Sequence, residues 1–305
     1  MAATIDPQVE NYFSSIETTE EDIERSFPIQ HEVETTQAFA LGSLPVGEAA
    51  QMLTSRTAKA TTPFSMDSRM RTLWSFINKT SVAIPSAQPL IIQLLSEIRK
   101  LGPLVVPKEG EGVGWGIDLE DGEAWEKLPH WANDWADSIN MYEVEFLSSP
   151  NNQKARAEWV SATSYSAQLT ATGDPELIGD WWCYVNCFFI RRCCPSIVRV
   201  LDIASSDDCE RQVLEISAAA PLFIYASQEL LQRSLASDTI ESMSEKDIDG
   251  ERLWWGDMRM LTIQRWKHWK DRWIALKDSD ILDESNRNLA SEALEAMAQA
   301  EASAG

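Results

Sequence analysis

The amino-acid sequence predicts an all-α protein, a single helical-bundle domain of roughly eight to ten helices. Three observations predict it. Apolar residues recur at spacings of three and four in one segment after another, as a helix with one buried face requires. No run shows the apolar–polar alternation of a half-buried strand. The periodic segments are separated by Pro, Gly, Ser and Asp, which start and stop helices for identifiable stereochemical reasons.

Residues 1–30 are acidic and rich in Ser and Thr and are expected to form a mobile arm with one short helix. The helical domain is expected over 31–280. Its first long helix enters at Pro45 and places Ala49, Leu53 and Ala60 near one face. The next carries Met70, Leu73, Trp74 and Ile77 at helical spacing and stops at Pro85. A third, with Leu90, Ile91, Leu94, Leu95, Ile98 and Leu101, presents a broad apolar face and ends at Gly102–Pro103.

From Val106 to Lys127 the chain becomes irregular, with alternating glycines and the acidic cluster Asp118, Glu120, Asp121 and Glu123. The glycine spacing fits neither a dinucleotide fingerprint nor a phosphate loop. The acidic cluster has its glycine at the wrong offset for a calcium loop and lacks the terminal glutamate. A solvated loop is expected there, one long enough to order over a site at Trp115.

Helix resumes with Trp131, Trp135 and Ile139, and again behind Ser149 and Pro150. The segment opened by Asp174 and Pro175 is apolar almost all round and should be the most buried helix. Pro221 should kink or break the helix that follows Asp208, and "ESMSEKDIDGE" reads as an acidic linker. Residues 281–305, rich in Ala and Glu, are expected to fray as a tail.

Composition excludes several functions. Acidic residues outnumber basic ones by 48 to 26, a formal net charge of −22. Most of such a surface repels phosphate, so neither nucleic acid nor an anionic membrane is an expected partner. The N-terminus resembles neither a secretory signal nor a transit peptide, and Trp181–Ile190 is half the length of a bilayer span. A cytoplasmic protein is expected. The 5 cysteines are odd in number and form no CxxC pair, so reduced thiols used in packing are expected rather than disulfides, zinc or another cofactor.

Tryptophan is the anomaly, with 13 residues against 5 Tyr and 9 Phe. Three of them fall in "RWKHWKDRW", Arg265 to Trp273. At about 100° per residue, Trp266, Trp269, Trp273 and Leu276 share an arc of about 80°. That is a core stripe. Arg265, Lys270 and Arg272 border it, where they can lay their stems on indole and reach an acidic partner helix. Asp271 sits in the middle of the opposite face, which argues against nucleic-acid binding.

The segment "GDMRMLTIQRWKHWKDRWIAL" resembles the closing motif of a fungal family known as domain of unknown function 3632, through Arg265, Trp266, Trp269, Arg272 and Trp273. "ISAAAPLFIYASQELLQRSL" is similar to that family's penultimate helix, and residues 45–101 fit its N-terminal helices. The resemblance implies a fungal origin and a helical fold, and it supplies no activity.

Two functions follow as expectations. The first is a small-molecule binding protein or enzyme of a fungal biosynthetic pathway. On the most buried helix, Asp180, Tyr184, Cys187 and Arg191 fall at spacings of 4, 3 and 4 on one face. Asp180 and Tyr184 would be the acid/base pair, with Trp181, Asn186, Arg191 and Trp115 contacting ligand in an aromatic pocket. The second is a non-catalytic interaction or regulatory protein with a protein partner, because no nucleophile elbow, metal signature or phosphate loop appears.

Overall fold

A computed structural model of the chain describes residues 7–20, 27–106, 125–178, 209–237 and 261–304. Among these residues every regular element is a helix, apart from one isolated parallel bridge between Thr19 and Ile29. The all-α class holds. The residues fall into two compact units, 1–138 and 139–305.

In the first unit the helices are α1 (Pro7–Ser14), α2 (Gln30–Ala40), α3 (Val46–Ala58), α4 (Pro63–Ala83) and α5 (Gln88–Arg99), followed by the first turns of α6 (Trp131–Ser148). α4 begins where Thr62 caps it, its hydroxyl accepting from the Ser65 amide at 3.1 Å, with Pro63 in the first turn. It ends at Ile84, which Pro85 pushes out of helical conformation. Met70, Leu73, Trp74 and Ile77 form its buried face, as the spacing predicts, and Met66 joins them. α3 packs on α2, α4 and α5, and α5 contributes Ile91, Leu94, Leu95 and Ile98 to the core.

Under this core lies a buried ion pair. Arg56 of α3 stands 3.6 Å from Glu32 of α2, and both are almost fully buried. Burial pushes the Glu32 carboxyl up, although the Ile29 amide at 3.0 Å and Arg56 oppose it. Residues 7–14 depart from the expected mobile arm. Val9 and Phe13 are buried and Tyr12 Oη lies 3.1 Å from Thr80 Oγ1, so two apolar side chains in an acidic segment suffice to dock a short helix.

The second unit holds the rest of α6, then α7 (Gln153–Ala171), α8 (Pro175–Ile178), α9 (Cys209–Ala236), α10 (Ile263–Lys277) and α11 (Glu284–Ala304). α9 is central and packs on α7, α10 and α11. Its Phe223 meets Trp269 and Trp273 edge-on at 5.4 and 5.5 Å, and Trp266 at 6.5 Å. These are the separations aromatic quadrupoles favour. α7 buries hydroxyls by returning them to its own carbonyls, Ser166 to Ala162 and Thr170 to Ser166.

Two expectations need correction. The tail does not fray: Glu284–Ala304 is one helix with Ala290, Ala293, Met297 and Ala300 buried. Their spacing of 3, 4 and 3 is a narrow stripe of mostly small side chains, easily missed in an Ala/Glu-rich segment but suited to close helix packing. Asp283 caps it, accepting from the Asn286 amide at 2.8 Å. Nor does Pro221 break α9, which runs through it to a non-helical residue at Ala226, φ −114 and ψ 18. A proline disturbs the turn before it, so the Ala226 departure is not the proline's own kink.

Candidate functional site

The predicted site residues Asp180, Trp181, Tyr184, Asn186, Arg191 and Trp115 lie outside the described residues, as do Cys183, Cys187, Cys193 and Cys194. Within the first unit, the concentration of ionisable groups beside a cleft falls instead between α4 and the start of α6.

One face of α4 carries Ser68, Arg71, Thr72, Ser75 and Lys79, at helical spacings that place them opposite the core. Asp134, Asp137 and Ser138 face them from α6 across a cleft of about 370 Å³. That is within the range of roughly 300–1,000 Å³ typical of small-ligand sites.

The start of α6 is held by a strained turn. Leu128 and His130 both adopt positive φ, 44° and 64°, on either side of Pro129. A left-handed conformation at a non-glycine residue costs on the order of 1–3 kcal/mol and persists where surrounding contacts over-determine it. Buried indoles supply those contacts. Trp74 Nε1 donates to the Pro129 carbonyl at 2.7 Å, and Trp131 Nε1 donates to Asn78 Oδ1 at 3.2 Å. Trp125 meets Trp74 edge-on at 6.5 Å. Tryptophan in this unit therefore anchors backbone beside the cleft.

The turn delivers His130 into a four-membered polar cluster. Arg71 donates through Nε to Asp67 at 3.2 Å, through Nη1 to Asp134 at 3.3 Å, and through Nη2 to His130 Nδ1 at 3.0 Å. His130 Nε2 lies 2.9 Å from Asp67 Oδ1. An arginine has no acceptor, so Nδ1 must accept and the ring proton of the neutral form sits on Nε2, toward Asp67. Nδ1 is hydrogen-bonded, and Nε2 is in close contact with the Asp67 carboxylate without hydrogen-bond geometry. His130 is thus a bridge between Asp67 and Arg71 rather than a base open to a substrate.

The two carboxylates are pushed apart. Burial opposes the charge on Asp67, but His130 and Arg71 outweigh it and hold that carboxyl below its ordinary range. Burial dominates at Asp134. Arg71 and His130 oppose it incompletely, Asp137 and Asp67 reinforce it, and the carboxyl is raised from 3.8 to about 6. Asp134 Oδ2 is buried with no hydrogen-bond partner among the described residues. A carboxyl that titrates near neutrality in a cleft is suited to binding a donor or transferring a proton.

Sequence reasoning missed this cluster because its members are 4, 59 and 63 residues from Arg71. The available signal was weak: the polar stripe of α4 complementary to its apolar one, and the Asp67–Arg71 pair at i, i+4. The tryptophan helix, by contrast, is where the wheel puts it. Trp266, Trp269 and Trp273 are buried, with the Arg265 guanidinium 5.0 Å over the Trp269 ring. Trp266 Nε1 and Lys270 Nζ both donate to Glu301 of α11, at 2.9 and 2.5 Å. The hydrogen bond from Lys270, then that from Trp266, hold the Glu301 carboxyl below its ordinary value.

Among the described residues no group of three or more His, Cys, Asp or Glu side chains is placed to hold a metal ion. No described helix is long and apolar enough to cross a membrane. Comparison with curated proteins and with solved structures found no match. One family model matches, described as "Protein of unknown function (DUF3632)", over residues 74–273. The matched span includes His130, Asp134 and the three tryptophans of α10, and begins just after Asp67 and Arg71. On that match over more than half its length, the chain belongs to the DUF3632 family.

Proposed function

We propose that the protein binds a small polar molecule in the α4–α6 cleft, with Asp134 as the group that recognises it or exchanges a proton with it. One observation carries this reading: a carboxyl raised to about 6, with an unpartnered oxygen, lines a cleft of ligand size. Arg71 is the positioning residue. Its three-way contact with Asp67, Asp134 and His130 sets the orientation of the Asp134 carboxyl. The reading keeps the small-molecule function expected from sequence but moves it to a polar cleft, with acid/base capacity in Asp134. A cytoplasmic role in a biosynthetic pathway fits the acidic surface and the cysteines expected to be reduced.

The test is a thermal-shift screen of the full chain against a library of small polar metabolites, repeated on Asp134→Asn. A ligand at 100 times its Kd adds about 2.7 kcal/mol of stability. Stabilisation by at least one compound, abolished in the variant, supports the reading. Stabilising compounds that act equally on the variant would overturn the placement, and no stabilising compound would favour a second reading. That one is a protein partner on α6, where Met141, Val144 and Leu147 are exposed at 68%, 59% and 40%.

A further inference from the structure

We infer that Arg71 and His130 form a proton-operated clasp beside the α4–α6 cleft: the guanidinium holds the imidazole while His130 is neutral and lets go when His130 takes a second ring proton. This names a regulation of the cleft proposed above and rests on that reading for its consequence, whereas the clasp itself is measured without a ligand.

Arg71 reaches Asp67 through Nε, Asp134 through Nη1 and His130 through Nη2. At His130 the acceptor is Nδ1, 3.0 Å from Nη2. A guanidinium nitrogen only donates, so this hydrogen bond exists only while Nδ1 carries no proton. A proton on Nδ1 sets two N–H groups and two positive charges against each other at 3.0 Å. The contact must then open. Solvent reaches the ring, because the His130 side chain is 17% exposed. Histidine ordinarily changes charge between about pH 5 and 8.

Asp67 is the fixed point of the clasp. Its Oδ2 accepts from Arg71 Nε, and its Oδ1 lies 2.9 Å from His130 Nε2. Burial opposes its charge, but His130 and Arg71 hold the carboxyl below its ordinary range, so it remains ionised at pH 5. Asp134 behaves oppositely. Burial raises its carboxyl to about 6 against Arg71 and His130, with Asp137 and Asp67 adding to the rise. Protonation there leaves an acceptor for Arg71 but removes the charge that strengthens the bond. The two sites are coupled, since a proton on either makes the other less ready to take one. On acidification Arg71 therefore loses His130, holds Asp134 more weakly, and keeps Asp67 on its own helix. Lys79, from α4, is the other charged group lining the cleft.

Little else opposes release. The Arg71 side chain is 42% exposed, so water can replace the partner it loses. The turn before α6 does not depend on the clasp, because Trp74 holds the Pro129 carbonyl and Trp131 holds Asn78. Two side chains move and α6 stays docked. A ligand held by an oriented Asp134 carboxylate is released as the pH falls.

The experiment is an NMR titration of the full chain, labelled with 15N and 13C, from pH 8 to 5, with side-chain signals assigned through bonds from the backbone. Imidazole nitrogen shifts report the His130 tautomer and charge. Separate Arg71 Nη signals report a guanidinium held in place, and their merging reports free rotation. At pH 8 His130 should be neutral with its proton on Nε2, and the Arg71 signals separate. They should merge over the pH range in which Nδ1 takes its proton.

Two variants separate the titrating groups. His130→Gln keeps an acceptor oxygen but does not titrate, and its Arg71 signals should stay separate at pH 5. Asp134→Asn should still release Arg71 as His130 titrates. A proton on Nδ1 at pH 8, a His130 still neutral at pH 5, or Arg71 signals that stay separate while His130 titrates would each overturn the clasp. Merging in His130→Gln over the wild-type pH range would overturn it too, by assigning release to Asp134. If a variant fails to fold, the wild-type titration still decides. A working clasp in a chain that no metabolite stabilises would refute the cleft reading alone.

Discussion

Replacing Asp134 by asparagine should stabilise the first unit at neutral pH while weakening whatever the cleft binds. The carboxyl is raised from 3.8 to about 6, with burial as the largest cause, so the folded protein holds its proton more tightly than the unfolded chain does. Between those two values the folded state binds more protons, and stability falls as pH rises through that window. The contribution is fully present below 3.8 and gone above about 6. At about 1.4 kcal/mol per tenfold change in proton affinity, the ionised carboxyl is worse for stability than the protonated one by about 3 kcal/mol.

Asparagine keeps the shape and an acceptor for Arg71 but does not ionise. The variant should therefore match the wild type near pH 4 and gain on it as pH rises, levelling off above pH 6 at about 1–3 kcal/mol. Urea unfolding at four pH values from 4.5 to 7.5, with hydrogen exchange of the α4 amides to localise the effect, measures this. A variant destabilised equally at every pH would show that the Arg71–Asp134 attraction outweighs burial, and would refute the reasoning.

Three further outcomes are expected. Met297→Ala in α11, a fully buried side chain, should destabilise the second unit by about 2–5 kcal/mol in urea unfolding, whereas a frayed tail would lose nothing. Thr262→Ala removes the hydroxyl that caps α10 through the Arg265 amide at 3.1 Å, and should cost about 1 kcal/mol by the same measurement. Glu301→Gln should change stability by less than about 1 kcal/mol, because Glu301 and Lys270 remain 37% and 33% exposed and water screens their attraction. What stability it does lose should appear above the ordinary carboxyl range and vanish as pH falls, since Glu301 is held below its usual value.

Periodicity alone identified the buried faces of α4, α5 and α10, because a helix repeats its environment every 3.6 residues and burial selects apolar side chains at that interval. It placed Trp74, Ile98 and Trp269 in the interior without reference to any partner. The same reasoning failed for α11, where alanine serves both as a core residue and as a helix former and leaves little contrast between faces.

The cleft was not legible in the sequence. Asp67, Arg71, His130 and Asp134 are ordinary polar residues in their own segments. They become a site only when a strained turn, pinned by Trp74 and Trp131, brings the start of α6 against α4. Burial at a helix face is a local property of spacing, whereas a raised carboxyl depends on which charges and how little water the fold brings to it. Only tertiary structure decides that.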